Sequence, residues 1–257
     1  MRMLTSAAAL AAAAVVAVPA SASTVIIDPI SAAWSNATGG AGVVIFAPGA
    51  STSINWGTGG TSGYDFVAAT TPLNVPVVVD GVSSPFALGD FTHRNQPIGS
   101  GSGITGVRLT ITYGVTLDDG MGPVVPIGNF NAVFDVDHWE TPNNASPCAD
   151  GGTVGVGVNV NGCADRVKIS LNAGLTQFFQ VDGISYTLNI SGFEIGGNPA
   201  DVFWTTERAD NTASLIGTIV ARSAIIPEPA TWAMMILGFG MVGMGLRRRQ
   251  GLTRVEA

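Results

Sequence analysis

Between residues 107 and 113 the apolar side chains Val107, Leu109, Ile111 and Tyr113 alternate with Arg108, Thr110 and Thr112. A period of two puts the first set on one face of an extended strand and the second set on the other. Similar runs, rich in Val, Ile, Thr and aromatic residues, recur as GVVIFA, STSINWG, GYDFVAA, VPVVVDG, FNAVFDVDHW, RVKISL, TQFFQVDGISYTLNISGFEI and SLIGTIVARS. Among them lie Asp80-Gly81, Asp119-Gly120, Asn161-Gly162 and Asp182-Gly183, pairs that tolerate the positive φ of hairpin turns. No stretch of residues 24–226 keeps a long helical period. About ten short strands with such turns predict an all-β body, an antiparallel β-sandwich of jelly-roll-like winding. A β-solenoid is the alternative, but it needs a fixed repeat and the sequence has none.

The two ends follow other rules. Arg2, the apolar stretch Ala7 to Val18 and the small residues Ala20-Ser21-Ala22 predict a secretory signal peptide over residues 1–22, cleaved after Ala22. An uncleaved amino-terminal anchor is the alternative. Near the other end, Ala230 to Leu246 is a run of 17 residues without charge, followed by Arg247-Arg248-Arg249. As a helix it spans roughly 25 Å, slightly less than a bilayer's hydrocarbon core. A single transmembrane helix is expected over about 230–246, with the arginines and the tail 251–257 in the cytoplasm. Gly238, Gly240 and Gly243 inside this run match the glycine spacing of dinucleotide-binding folds. That fingerprint also needs a strand before it and a helix and an acidic residue about 20 positions after it. The 14 residues after Gly243 cannot supply them. Residues 23–226 then form the exported body.

That body holds six basic and 16 acidic side chains, a formal charge of −10, with Lys168 its single lysine. Nucleic-acid binding needs basic clusters to neutralise phosphates, so that class is excluded. Cys148 and Cys163 are the two cysteines of the chain. In an exported protein they are expected to form a disulfide that contributes about 3 kcal/mol by closing its loop. A two-cysteine metal site is the alternative.

The tail resembles the PEP-CTERM sorting signals of bacteria, through Pro227-Glu228-Pro229, the apolar run from Trp232 and Arg247-Arg248-Arg249. This resemblance implies routing: handling by an exosortase, a transpeptidase-like membrane enzyme acting near Pro227-Glu228-Pro229, from an intermediate held in the inner membrane. A second, narrower resemblance lies in the body. Thr92-His93-Arg94-Asn95, preceded by Phe91 and followed by Gln96-Pro97-Ile98, is similar to the motif of the THxN family of PEP-CTERM proteins. The segments ETPNNASPC (140–148), NGCADRV (161–167) and FWTTERADNTASLIGTI (203–219) also fit that family's pattern. The resemblance implies no particular activity.

Thr92, His93 and Asn95 can hydrogen-bond neighbouring backbone, so they are expected to act as a polar latch where the chain leaves a strand. Ligand recognition at a sandwich edge and catalysis are the alternatives. Asp135 and Asp137, which share a face of a strand, with His138 and Glu140 beside them, form the densest oxygen-rich cluster, a weak candidate for Ca²⁺ against a solvated strand end. Trp34, Trp56, Trp139 and Trp204 suit either core packing or sugar stacking. No nucleophile elbow, zincin helix or P-loop motif occurs. The expectation is therefore a protein without enzymatic activity or cofactor, exported to the cell surface or matrix and associated with extracellular polysaccharide or biofilm. A carbohydrate-binding module is the alternative, and a secreted hydrolase a third possibility.

Overall fold

The computed structural model describes residues 22–223 and 234–242. The chain divides into two compact units, Met1–Arg222 and Ser223–Ala257. Among the described residues of the first, 14 strands are numbered in chain order and pair antiparallel. One sheet runs β13 (Phe203–Thr205), β9 (Asp165–Leu171), β8 (Val125–Trp139), β7 (Ile104–Asp118), β1 (Ala22–Gly39), β5 (Leu73–Val78). The other runs β10 (Phe178–Val181), β11 (Ile184–Ile195), β14 (Ala209–Ser223), β6 (Phe86–Asn95), β4 (Ser62–Ala68), β3 (Ser51–Trp56), β2 (Val44–Ile45). A short strand, β12 (Asn198–Ala200), adds to β11.

The predicted alternation places the core. Val107, Leu109, Ile111 and Tyr113 of β7 are buried, while Arg108, Thr110 and Thr112 are half-buried on the other face. They join one hydrophobic cluster with Ile27 of β1 and Phe134 of β8, and with Phe66, Phe91 and Leu215 of the second sheet. Trp34 of β1 bridges the two sheets, its ring 5.8 Å from Tyr64 and 6.0 Å from Phe91. Each such large side chain, fully buried, contributes about 1.5–3 kcal/mol.

Four expectations need correction. The winding is not jelly-roll-like through β7, β8 and β9, which form a meander in a single sheet. GVVIFA yields only Val44–Ile45 as strand, both exposed, because that stretch meets a partner on one side alone, β3. The segment Thr92-His93-Arg94-Asn95 forms the last residues of β6, which ends at Asn95, and it pairs with β4 and β14 on its two sides rather than holding a loop. And β1, absent from the expected strands, is the longest at 18 residues. Its alternation is broken in the sequence because the register shifts between Ile27 and Ile30. Opposite that bulge stands Gly114, where a Cβ would run into the carbonyl oxygen of Asp28.

In the second unit, residues 234–242 form a helix, α1. It covers part of the expected span 230–246, and among the described residues no helix is long and apolar enough to cross a membrane. The expected signal peptide, Pro227-Glu228-Pro229, the arginines 247–249 and the tail 251–257 lie outside the described residues, Ala22 excepted, which opens β1.

Candidate functional site

The motif on β6 follows the strand period. Phe91, His93 and Asn95 are buried, and Thr92 and Arg94 face outward. Outside, Thr92 meets Thr212 at 2.8 Å, and Arg94 pairs with Asp65, Nε to Oδ2 2.7 Å. Inside, His93 stacks on Trp56 with ring centroids 5.8 Å apart, and lies 5.2 Å from the ring of His138. The latch expected at a loop is thus an interior network between two sheets.

Thr205 of β13 is its hub. Its hydroxyl donates to the main-chain carbonyl of Asp165 (3.2 Å), and the Asn95 amide donates to the Thr205 carbonyl (3.0 Å). A hydroxyl has one hydrogen to give. With that hydrogen on Asp165, the 2.8 Å contact between His93 Nδ1 and Thr205 Oγ1 requires Nδ1–H as donor. Burial, with His138 and Arg94 adding to it, pushes the His93 pKa well below the usual imidazole range. The ring is therefore neutral, and in the tautomer with Nδ1–H donating to Thr205 its Nε2 is a lone pair with no hydrogen-bond partner among the described residues.

Carboxylates gather around it. Asp165 opens β9, its Oδ1 accepting from the Thr141 N–H at 2.7 Å and its Oδ2 without a partner. Glu207 sits in the turn between β13 and β14. Asn211 closes that turn, accepting from Thr206 N–H (2.8 Å) and donating to the Thr206 and Ala209 carbonyls (2.9 and 3.0 Å). Asn95, Asn143 and Arg208 lie near enough to Glu207 to favour its charged form. Neither of its carboxylate oxygens has a hydrogen bond of ordinary geometry. Glu140, just beyond β8, faces His138 with Oε2 3.4 Å from Nε2. His93, His138 and Asp165 each offer a ligand atom within 4.8 Å of the others, as do Glu140, Asp165 and Glu207.

Burial and this crowding raise the acids. Asp165 is pushed up to about 8, by desolvation first and by Glu140 and Glu207 as well. Glu207 is pushed up to about 7 by desolvation and then by Glu140. Burial, Asp165, Glu140 and Asp137 raise Tyr64, whose hydroxyl contacts His138 Nδ1, well above the ordinary phenol range.

The connection from β8 to β9 carries the disulfide. Cys148 and Cys163 are bonded, and the Cys163 N–H donates to the Asn143 carbonyl (3.1 Å). Thr141 Oγ1 donates to the Ala164 carbonyl at 3.0 Å. This clamp sets Asp165 and Glu140 beside each other. His138, Trp139, Glu140 and Asn143 also line a cavity of about 480 Å³, with Ile98 and Ile104 opposite.

The acidic cluster expected at 135–140 comes apart. Asp135 is held by Arg108 (2.9 Å) and Asn172 (2.7 Å), and Arg108 keeps its carboxyl below the usual range. Asp137 pairs with Arg166 at 2.8 Å. Both face outward, whereas Glu140 joins the interior group with Asp165 and Glu207. Trp34 and Trp56 are core residues, Trp204 is half-buried, and Trp139 is exposed under the Arg166 guanidinium, 5.2 Å from its ring.

Asp165 and Glu207 are not among the residues that sequence singled out, because each stands alone in its own segment. The signal lay in the set: HRN, ETPN, CADR and TTER, from the four body segments quoted above, supply His93, Asn95, Glu140, Asn143, Asp165, Thr205 and Glu207. The fold brings all four segments to one place.

At the other end of the chain, residues 226–249 match the family described as the PEP-CTERM protein-sorting motif. The chain carries a PEP-CTERM sorting tail. Such a tail implies exosortase as processing partner and export toward the cell surface. No curated protein matches the chain.

Proposed function

We propose that this is an exported, non-enzymatic envelope or extracellular-matrix protein of the THxN group, associated with extracellular polysaccharide or biofilm. The observation that carries the reading is a sorting motif at 226–249 directly after a body whose last strand ends at Ser223. In this reading a signal peptide starts export and is cleaved after Ala22. Residues 230–246 hold an inner-membrane intermediate, with 247–257 in the cytoplasm, and exosortase acts near Pro227-Glu228-Pro229. The test is fractionation of a chain tagged at both ends of its mature form, in a cell that has exosortase. Glu228→Ala should leave the longer form in the inner membrane. Processing of that variant at the parent's rate rejects the reading.

One observation favours a second reading, a carbohydrate-binding module. Trp139 is 44% exposed beside a cavity lined by Glu140 and Asn143, and sugar sites combine an aromatic face with a few polar groups. A glycan array with the parent and Trp139→Ala separates the two readings: signal lost in the variant favours the module, and no signal for the parent removes it.

A further inference from the structure

We propose that the body holds one divalent transition metal ion of the zinc type at the junction of its two sheets, bound by His93 Nε2, His138 Nε2 and the Asp165 carboxylate. Glu207 and Glu140 complete its negative surround. This role goes beyond sorting, and none of the tail is needed for it.

The first support is the unmet demand of buried atoms. Among the described residues, His93 Nε2, Asp165 Oδ2, and Oδ1 of Asn95 and Asn143 have no hydrogen-bond partner, and the Glu207 oxygens meet Asn95 and Asn143 without a bond of ordinary geometry. His93, Asn95, Asp165 and Glu207 are fully buried. Buried polar atoms of folded proteins are satisfied as a rule, and each exception requires an explanation. His93 Nε2 is an acceptor when the Thr205 contact holds the His93 proton on Nδ1, and the carboxyl oxygens are acceptors when ionised. A cation meets such inward atoms by displacing the protons that the carboxyls hold without it.

The second support is charge. Three carboxylates share the junction, yet among the described residues no lysine or arginine forms an ion pair with Asp165, Glu207 or Glu140. Buried carboxyls stay charged only when paired or bound to a metal, and otherwise take up a proton. The third is geometry. Two ligands on a tetrahedral zinc, each about 2.1 Å from it, stand about 3.4 Å apart. The ligand atoms here lie within 4.8 Å of one another, so closure on an ion asks for side-chain shifts of up to about 1.4 Å at the widest pair.

Donor type selects the ion. Imidazole suits Zn²⁺ and its transition-metal neighbours, whereas Ca²⁺ takes oxygen alone. The outer contacts fit too: a ligating histidine is oriented by what its other nitrogen touches, here Thr205 for His93 and Tyr64 for His138. The ligands come from β6 in one sheet and β8 and β9 in the other, so the ion would fasten the sheets together. Its buried position makes it a structural site.

The test uses the full chain isolated in detergent without chelator. Elemental mass spectrometry should find about one equivalent of a transition ion, or accept one after stripping and addition of Zn²⁺, and X-ray absorption should show imidazole nitrogen in its shell. Zn²⁺ should raise the melting temperature of the stripped protein, and Ca²⁺ should not. Asp165→Asn, which keeps the side chain's shape, and His93→Phe, which keeps its ring, should each weaken Zn²⁺ binding at least about 100-fold. Absence of any bound ion both as isolated and after Zn²⁺ addition overturns the proposal. So does equal binding by Asp165→Asn, or a melting rise with Ca²⁺ alone.

Discussion

At the scale of single residues, the interior network makes two predictions. Thr205→Val keeps volume but removes the hydroxyl that His93 Nδ1–H donates to and that donates to the Asp165 carbonyl. Buried groups left without partners cost about 1–3 kcal/mol, so denaturant unfolding should show a loss of that order; a loss below about 0.5 kcal/mol would mean that Thr205 is not the hub. The second concerns pH in the presence of a chelator. Burial pushes the Asp165 carboxyl up from 3.8 to about 8, with Glu140 and Glu207 adding to it, and the two histidines stand beside it. A carboxyl whose folded pKa is raised favours the fold fully below the unfolded value, and that contribution is lost as pH rises through the folded one. The stripped protein should therefore lose stability from about pH 4 to about pH 8, with Glu207, raised to about 7, adding to the slope. In Asp165→Asn the slope should shrink. Melting curves at a series of pH values check this; a parent slope that is flat or reversed across that window contradicts the raised carboxyl. Of these residues the sequence made His93 and Asn95 legible as a motif. It could not reveal Asp165 or Glu207 as their companions, because partners more than 60 residues apart leave no local pattern.

At the scale of elements, strand alternation carries the core. Leu109→Ala in the middle of β7 opens a cavity beneath both sheets and should cost about 2–5 kcal/mol; Thr110→Ala on the outer face should cost within about 0.5 kcal/mol. Similar losses in both would mean that β7 does not present its odd-numbered side chains inward. Gly114 has a different role, since any Cβ there meets the Asp28 carbonyl across the β1 bulge. Gly114→Ala should destabilise by forcing two backbones apart, and an unchanged melting temperature would show that the bulge can move. The β8–β9 connection depends on its disulfide. Reduction of the Cys148–Cys163 bond should cost about 3 kcal/mol in the chain-entropy picture, measured by denaturant titration with and without reductant. It should also loosen the Thr141–Asp165 contact, which the same loop positions. β7 and β8 were legible from alternation alone. β1 was not, because its bulge shifts the inward set by one residue midway and so erases the period that reveals a strand.

At the scale of the whole molecule, the sorting tail and the body answer to different physics. The tail's glycines serve no phosphate in the reading above, so Gly240→Ala should leave export and membrane retention near the parent's level in the same fractionation. A strong defect from that change alone would mean that the glycine spacing has a role of its own. What the sequence determined by itself was local or compositional. Alternation and turn pairs specify strands because a side chain's face depends only on its position within its own strand. Two lone cysteines in an exported chain specify their bond, and a contiguous tail specifies routing because the machinery that reads it meets consecutive residues. The tertiary structure alone decided which strands neighbour which, and so where the interior acids and histidines meet. Sheet order rests on packing between faces distant in the chain, and a strand's own pattern is the same whichever neighbour it takes. His93, His138, Asp165 and Glu207 become one group only when β6, β8, β9 and the β13–β14 turn close over the same end of the sandwich.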